Sequence, residues 1–225
     1  MSRTTGSERN RAVGLPIAIS RRSPRVLTTR DAAAVYSAPR PQLKRLTDAG
    51  LLLRLTGGVY AVPPSGREAS GWTPDLEVLA GGIGAAVFGA DQAVVVGMSA
   101  ARLHGAVPRA LGEALVAVPR QHRAVVVEGG RTVRFLMRRT DLLDAEAVPT
   151  EIGPLLVGTV EQTVLDLGHG PLHAPEFSAE REAVSALAPR LDWTVARQLA
   201  TAQRRAAALR RVETLLRRSP GDVVG

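Results

Sequence analysis

Residues 26–63 read VLTTRDAAAVYSAPRPQLKRLTDAGLLLRLTGGVYAVP, and the punctuation of this stretch decides the fold. Val26 to Thr28 are β-prone. Thr28 or Thr29 then offers an N-cap hydroxyl to a helix beginning at Arg30, with Asp31 in the first turn, where the helix dipole favours a carboxylate. Ala32 to Tyr36 continue that helix, which stops at Ser37 and Ala38 because Pro39 disfavours helical geometry in the residue before it. Pro41 suits the first position of a second helix, where a missing N–H costs little. That helix runs through Gln42, Leu43, Lys44, Arg45 and Leu46 to Ala49, and Gly50 closes it as a left-handed cap. Leu51 to Leu55 reads as a strand, Gly57 and Gly58 as a two-residue turn, and Val59 to Val62 as the returning strand. Helix, turn, helix and hairpin in that order make a winged helix-turn-helix.

At 100° per residue Leu43 and Leu46 point the same way, so Arg40, Pro41, Lys44, Arg45 and Asp48 face outward. The charge distribution agrees with a role for that face. Met1 to Tyr60 holds 11 basic and 3 acidic residues, which accounts for the whole surplus of +8, while the remaining 18 basic and 18 acidic residues cancel. A basic head on a neutral body is the asymmetry expected when one module must neutralise phosphates. Charge runs are more often solvated faces, and helix-turn-helix patterns arise by chance in alanine-rich chains; the hairpin in register and the confined charge favour DNA. Arg40 and Lys44 are the candidates for base edges in the major groove, and Gln42 of the same helix is a further candidate DNA-binding residue. Arg21, Arg22, Arg25, Arg30, Arg45 and Arg54 would grip phosphates, with Arg54 and Thr56 near the tip of the wing.

The chain of 225 residues divides naturally in two. The head is expected over residues 1–64, with 1–12 flexible, and the body over 74–225. Between them PPSGREASGWT (Pro63 to Thr73) carries turn residues and no apolar period, as a linker does. The body reads as a helix (Pro74 to Ala86), a buried strand (Ala93 to Val96), a short helix (Ser99 to His104), strands around Leu115–Val118, Ala124–Glu128 and Thr132–Arg138, and a helix from Val160 to Leu167. From Phe177 to Arg218 the pattern is helical, divided by Pro189, with Leu191, Val195, Leu199, Ala206, Leu209, Val212, Leu215 and Leu216 as apolar stripes. The fold class is therefore α+β: a winged helix-turn-helix followed by a mixed α/β domain that ends in helices. Arg204, Arg205, Arg210, Arg211, Arg217 and Arg218 make the last helix basic; an exposed face is preferred over a second nucleic-acid contact.

Composition narrows the function. Cysteine is absent, which removes disulfide frameworks, cysteine zinc sites and thiol nucleophiles and suits a reducing cytoplasm. Aromatics are 3%, too few for modules that stack RNA bases. The apolar run Ala12 to Ile19 is followed by Arg21 and Arg22 and has no small-residue cleavage site, so it reads as a first helix of the head. Leu79 to Ala90 is too short to span a bilayer. No membrane partner and a cytoplasmic location are expected.

Enzyme chemistry finds little support. Gly81, Gly82 and Gly84 lack the rest of any phosphate-loop or dinucleotide fingerprint and suit helix packing better. Gly170 and Pro171 between His169 and His173 defeat a one-face zinc spacing. His104 reads as a packed or capping histidine, Ser99 has no GxSxG surroundings, and Asp166 in VLDLG reads as a cap or hydrogen-bonding group at a helix end. No catalytic residue, metal or cofactor is expected.

The quoted head, with its Gly58-Val59-Tyr60 turn, resembles the N-terminal winged helix of AbiEi-type antitoxins. The body is similar as well. Ser99, Ala100, Ala101, Leu103, His104 and Gly105 match the family's Ser-Ala-Ala helix, and Thr159, Thr163, Leu165, Asp166 and Leu167 match its Thr-Ser-x-x-Arg-Thr-x-x-Asp-Leu segment. LDWTVARQLA and AALRRVETLL resemble its last helices, so the likeness covers nearly the whole chain. Gln162 departs from the family's arginine and Pro39 from its polar cap. The resemblance implies an antitoxin and transcriptional autorepressor that binds inverted repeats of double-stranded DNA in its own promoter. It also implies action against a nucleotidyltransferase-like toxin encoded beside it, without a stable complex. Related heads are fused to nuclease domains, but no Asp and Glu-x-Lys constellation is present, and Lys44 is the only lysine. The alternative is a winged-helix regulator with a ligand- or partner-sensing body.

Overall fold

The structure, a computed structural model, describes residues 14–64, 66–67, 71–170 and 177–217. The expected flexible lead over residues 1–12, part of the expected linker, His173 and Arg218 lie outside the described residues.

In the head, a short helix α1 (Ile17–Ser20) precedes strand β1 (Val26–Thr28) and helix α2 (Thr29–Ala32). Thr28 is the cap of α2. Its Oγ1 accepts the Asp31 N–H at 3.1 Å while Asp31 Oδ2 accepts the Thr28 N–H at 2.7 Å, a reciprocal capping box. α2 is shorter than the alanines suggest: the N–H groups of Ala33, Ala34 and Val35 bond to carbonyls three residues back, which tightens the chain out of α-helical geometry. Helix α3 (Pro39–Asp48) starts earlier than the Pro41 expected from sequence. The first N–H groups of a helix have no intrahelical acceptor, so both prolines fit its first turn. Gly50, at φ 71°, and Leu51 close it through N–H bonds to Thr47 and Leu46 carbonyls. Strands β2 (Leu53–Thr56) and β3 (Val59–Ala61) then pair antiparallel, and β1 adds on the far side, giving a three-stranded sheet in the order β1-β3-β2.

The body begins with helix α4 (Leu76–Phe88) and centres on a mixed six-stranded sheet. Its strands are β4 (Val94–Val95), β5 (Glu113–Val118), β6 (Val125–Val126), β7 (Thr132–Met137), β8 (Ala145–Val148) and β9 (Leu155–Gly158), ordered β6-β7-β5-β4-β9-β8. β8 and β9 were not legible in the sequence. Helix α5 (Gly97–Leu103) follows β4. Helices α6 (Val160–Leu167), α7 (Ser178–Leu187), α8 (Trp193–Ala202) and α9 (Ala206–Arg217) form the C-terminal part around a second core, to which Ala101 of α5 and Val107 also contribute. In α8 the buried residues are Ala196 and Ala200, with Val195 and Leu199 half-buried beside them, and Ala206 of α9 is exposed. No helix among the described residues is long and apolar enough to cross a membrane.

The glycines of α4 bring it against the sheet. A Cβ on Gly81 would lie 2.8 Å from Leu155 and one on Gly84 would lie 2.9 Å from Ala93. Only a residue without a side chain permits that approach. The small sheet of the head has two apolar faces. Leu27 joins Ile19, Leu43, Leu46 and Leu52 in a core within the head, whereas Val26, Leu55, Val59 and Ala61 join Leu76, Leu79, Ile83 and Ile152 of the body. The segment between them is anchored at Trp72, which is buried and donates its indole N–H to Glu151 Oε2 at 2.7 Å.

Candidate nucleic-acid interface

Helix α3 presents one apolar and one polar face. Leu43 and Leu46 are 0% and 2% exposed, and burying each contributes about 1.5–3 kcal/mol. That anchoring leaves Arg40, Pro41, Lys44, Arg45 and Asp48 exposed, with Gln42 half-buried, as the helical spacing predicts. Lys44 Nζ and Asp48 Oδ2 pair at 2.7 Å on the open surface. Such an exposed i,i+4 pair contributes only about 0.3–0.5 kcal/mol, so an external anion can draw Lys44 away at little cost.

The hairpin after α3 carries Arg54, exposed and opposite Tyr60, and Thr56, half-buried and opposite Val59, where the register shifts by a bulge. Gly58 forms the turn at φ 80°, and its carbonyl accepts the Thr29 N–H at 2.8 Å. The hairpin tip is thereby tied to the start of α2. Arg30 in α2 and Arg21 at the end of α1 are exposed. The side chains of Arg21, Arg30, Arg40, Arg45 and Arg54 make no hydrogen bond or ion pair with a described residue.

Two candidates are held differently. Arg22 is half-buried, donates Nε to the Val26 carbonyl at 2.9 Å and lies 3.5 Å from Asp31 Oδ2. Arg25 donates Nη1 to the Pro63 carbonyl at 3.2 Å, and its N–H bonds to the Ile152 carbonyl of the body. Both hold the head together or to the body. Their neighbours in sequence give no hint of this, because the partners come from other elements.

Elsewhere the reading of Asp166 proves too modest. Its side chain, 7% exposed, accepts Arg138 Nη1 at 2.9 Å, together with Arg205 Nη1 and, at 3.1 Å, Gln162 Nε2. Gln162, where the family resemblance leads one to expect an arginine, is fully buried. The basic last helix is likewise only partly an outer face: Arg205, just before it, turns inward to Asp166, and Arg211 within it donates to the Gly168 and His169 carbonyls. Ser99 is buried and accepts the Leu115 N–H at 2.9 Å, and His104 Nε2 meets the Gly158 carbonyl at 2.7 Å. Among the described residues no group of three His, Asp or Glu side chains is placed to hold a metal ion.

Comparison with known proteins supports the regulatory reading of the head. No curated protein matches the chain. The fold is similar to the crystal structure of the RV2827C protein from Mycobacterium tuberculosis, with a TM-score of 0.56 at 17% identity over 85% of this chain and 71% of that one. At that identity the likeness speaks for the fold alone. Residues 16–63 match the family described as "Transcriptional regulator, AbiEi antitoxin", a span that includes every candidate DNA contact named above. Over residues 16–63, the head of this chain is thus similar to the AbiEi antitoxins and transcriptional regulators.

Proposed function

We propose that this protein is a winged helix-turn-helix autorepressor that binds inverted repeats in its own promoter, and an antitoxin that opposes a nucleotidyltransferase-type toxin encoded beside it. The observation that carries the DNA-binding half is the exposed row Arg40, Lys44 and Arg45 on a helix whose other side is anchored by Leu43 and Leu46. Helix α3 enters the major groove, Arg40, Gln42 and Lys44 face base edges, and the hairpin with Arg54 and Thr56 meets the neighbouring backbone or minor groove. Arg21, Arg30 and Arg45 grip phosphates; Arg22 and Arg25 add charge while bracing the head. An inverted repeat is read by two copies, with half-sites about one helical turn apart or a multiple of it.

The antidote activity resides in the body, residues 74–225, and opposes the toxin without a stable complex. It requires no cofactor and no catalytic step, and takes place in the cytoplasm. The test is growth of cells that express the adjacent gene alone, with the full chain, or with the body from about Ser70 onward. Toxicity relieved by the full chain and by the body supports the antitoxin. A harmless neighbour, or toxicity that neither chain relieves, overturns that half and leaves a DNA-binding regulator.

A further inference from the structure

The six-stranded sheet has two unlike faces. Ala114, Val116 and Val118 of β5 turn toward α4, whereas Leu115 and Ala117 turn the other way and cluster with Val94, Val96 and Leu136. Among the described residues no helix contributes to that second cluster, which is completed by Leu143, Ala145 and Leu156. Val94, Val96 and Ala117 are buried, whereas Leu115, Leu136 and Leu143 at the margin of the cluster are half-buried. A cavity of about 560 Å³ opens there, walled by Leu115, Leu136 and Leu143 and bounded on its polar side by Arg138, Arg205 and Asp166.

The polar side has an unbalanced charge. Arg138 and Arg205 share the single Asp166 carboxylate, and their side chains are only 23% and 19% exposed. One positive charge is left over in partly desolvated surroundings, where an anion is strongly favoured. Arg139 also lines the cavity but is matched by Asp141 at 2.7 Å, so it does not change this balance. Each guanidinium has five N–H donors. Arg138 and Arg205 use only Nη1 within the described residues, and their remaining nitrogens are not sealed from solvent. Gln203 also lines the cavity and donates to the Leu142 carbonyl at 3.0 Å.

We infer that this cavity binds a small amphipathic oxyanion, its carboxylate or phosphate head on Arg138 and Arg205 and its apolar body against Leu115, Leu136 and Leu143. The volume suits a metabolite-sized ligand, and a mostly apolar wall with a few convergent donors is the usual make-up of such sites. Guanidinium groups offer both head groups a fork of parallel N–H bonds. The inference concerns the body alone and does not depend on DNA binding or on antidote action.

The test is NMR titration of the full chain with hexanoate and hexyl phosphate, against hexan-1-ol and inorganic phosphate. Hexanoate, hexyl phosphate or both should shift the Leu136 and Leu143 methyl and the Arg138 and Arg205 Nε–H resonances together and saturably. Hexan-1-ol and inorganic phosphate should each bind about tenfold more weakly or less. Leu143→Trp, which fills the cavity without touching the ion pairs, should abolish the shifts, and Arg205→Gln should erase the preference for the anion. Hexan-1-ol binding as well as either anion would overturn the oxyanion site. Inorganic phosphate binding as well as hexyl phosphate would overturn the apolar half, and unsaturable shifts for both anions would overturn the whole.

Discussion

Gly82 of α4 lies directly against Val26 of β1: a Cβ on Gly82 would sit 3.0 Å from Val26 Cγ1 and 2.7 Å from Ile152 Cδ1. Head and body thus pack closely at this position. Gly82→Ala should therefore destabilise the protein by about 1–3 kcal/mol through overpacking, despite the better helix propensity of alanine. Gly57→Ala, with nothing within 4 Å, should change stability by less than about 0.5 kcal/mol. Urea unfolding of the two variants makes the comparison.

The body alone should fold but be weaker than the whole. A chain beginning near Ser70 lacks Val26, Leu55, Val59 and Ala61, which cover part of the core built on α4. We expect retained sheet signal in circular dichroism, a lower melting temperature and no binding to promoter DNA. Retained DNA affinity would move the binding site to the arginines of the C-terminal helices.

Asp31 organises the head. Its Oδ2 accepts the Thr28 N–H at 2.7 Å and the Thr28 hydroxyl at 2.9 Å, with Arg22 beside it at 3.5 Å. Asp31→Ala should cost about 1–2 kcal/mol, as loss of a helix cap does. The measurement is thermal unfolding, with promoter affinity compared below the melting temperature.

Asp166 and Asp141 offer a contrast between a buried and an open ion pair. Asp166→Asn leaves Arg138 and Arg205 without their counter-ion and should cost about 3 kcal/mol. Asp141 is exposed, and the hydrogen bond from Arg139 holds its carboxyl below the usual range. The stabilisation from that pair is present above the ordinary carboxylate value and fades as pH falls through the lowered one. At neutral pH Asp141→Asn should leave the melting temperature unmoved, because exposed pairs contribute little.

The head was legible because its decisive residues act locally. Gly50 and Gly58 take positive φ, Leu43 and Leu46 follow the helical period, and Thr28 with Asp31 caps its own helix. Helix Val160–Leu167 was legible for the same reason, with Thr159 accepting the Gln162 N–H. Strand β8 escaped because Glu146 and Ala147 are both exposed, so it shows no alternation, and β9 is only a short apolar run after Pro154. The Arg138, Asp166 and Arg205 group joins residues 28 and 39 positions apart. Periodicity carries no signal over such distances; only the topology of the sheet and the last helices brings them together.

Binding of the full chain to its own promoter across a series of salt concentrations, with Arg40→Ala and Lys44→Ala beside it, tests the central claim most directly. If about five basic side chains meet phosphates, log K should fall with log salt at a slope of about −4 to −5. Each variant should lose about 1–3 kcal/mol if its side chain reads a base. A protein with no affinity for its promoter, or one whose affinity is unmoved by both substitutions, would contradict the assignment of α3 as the recognition helix.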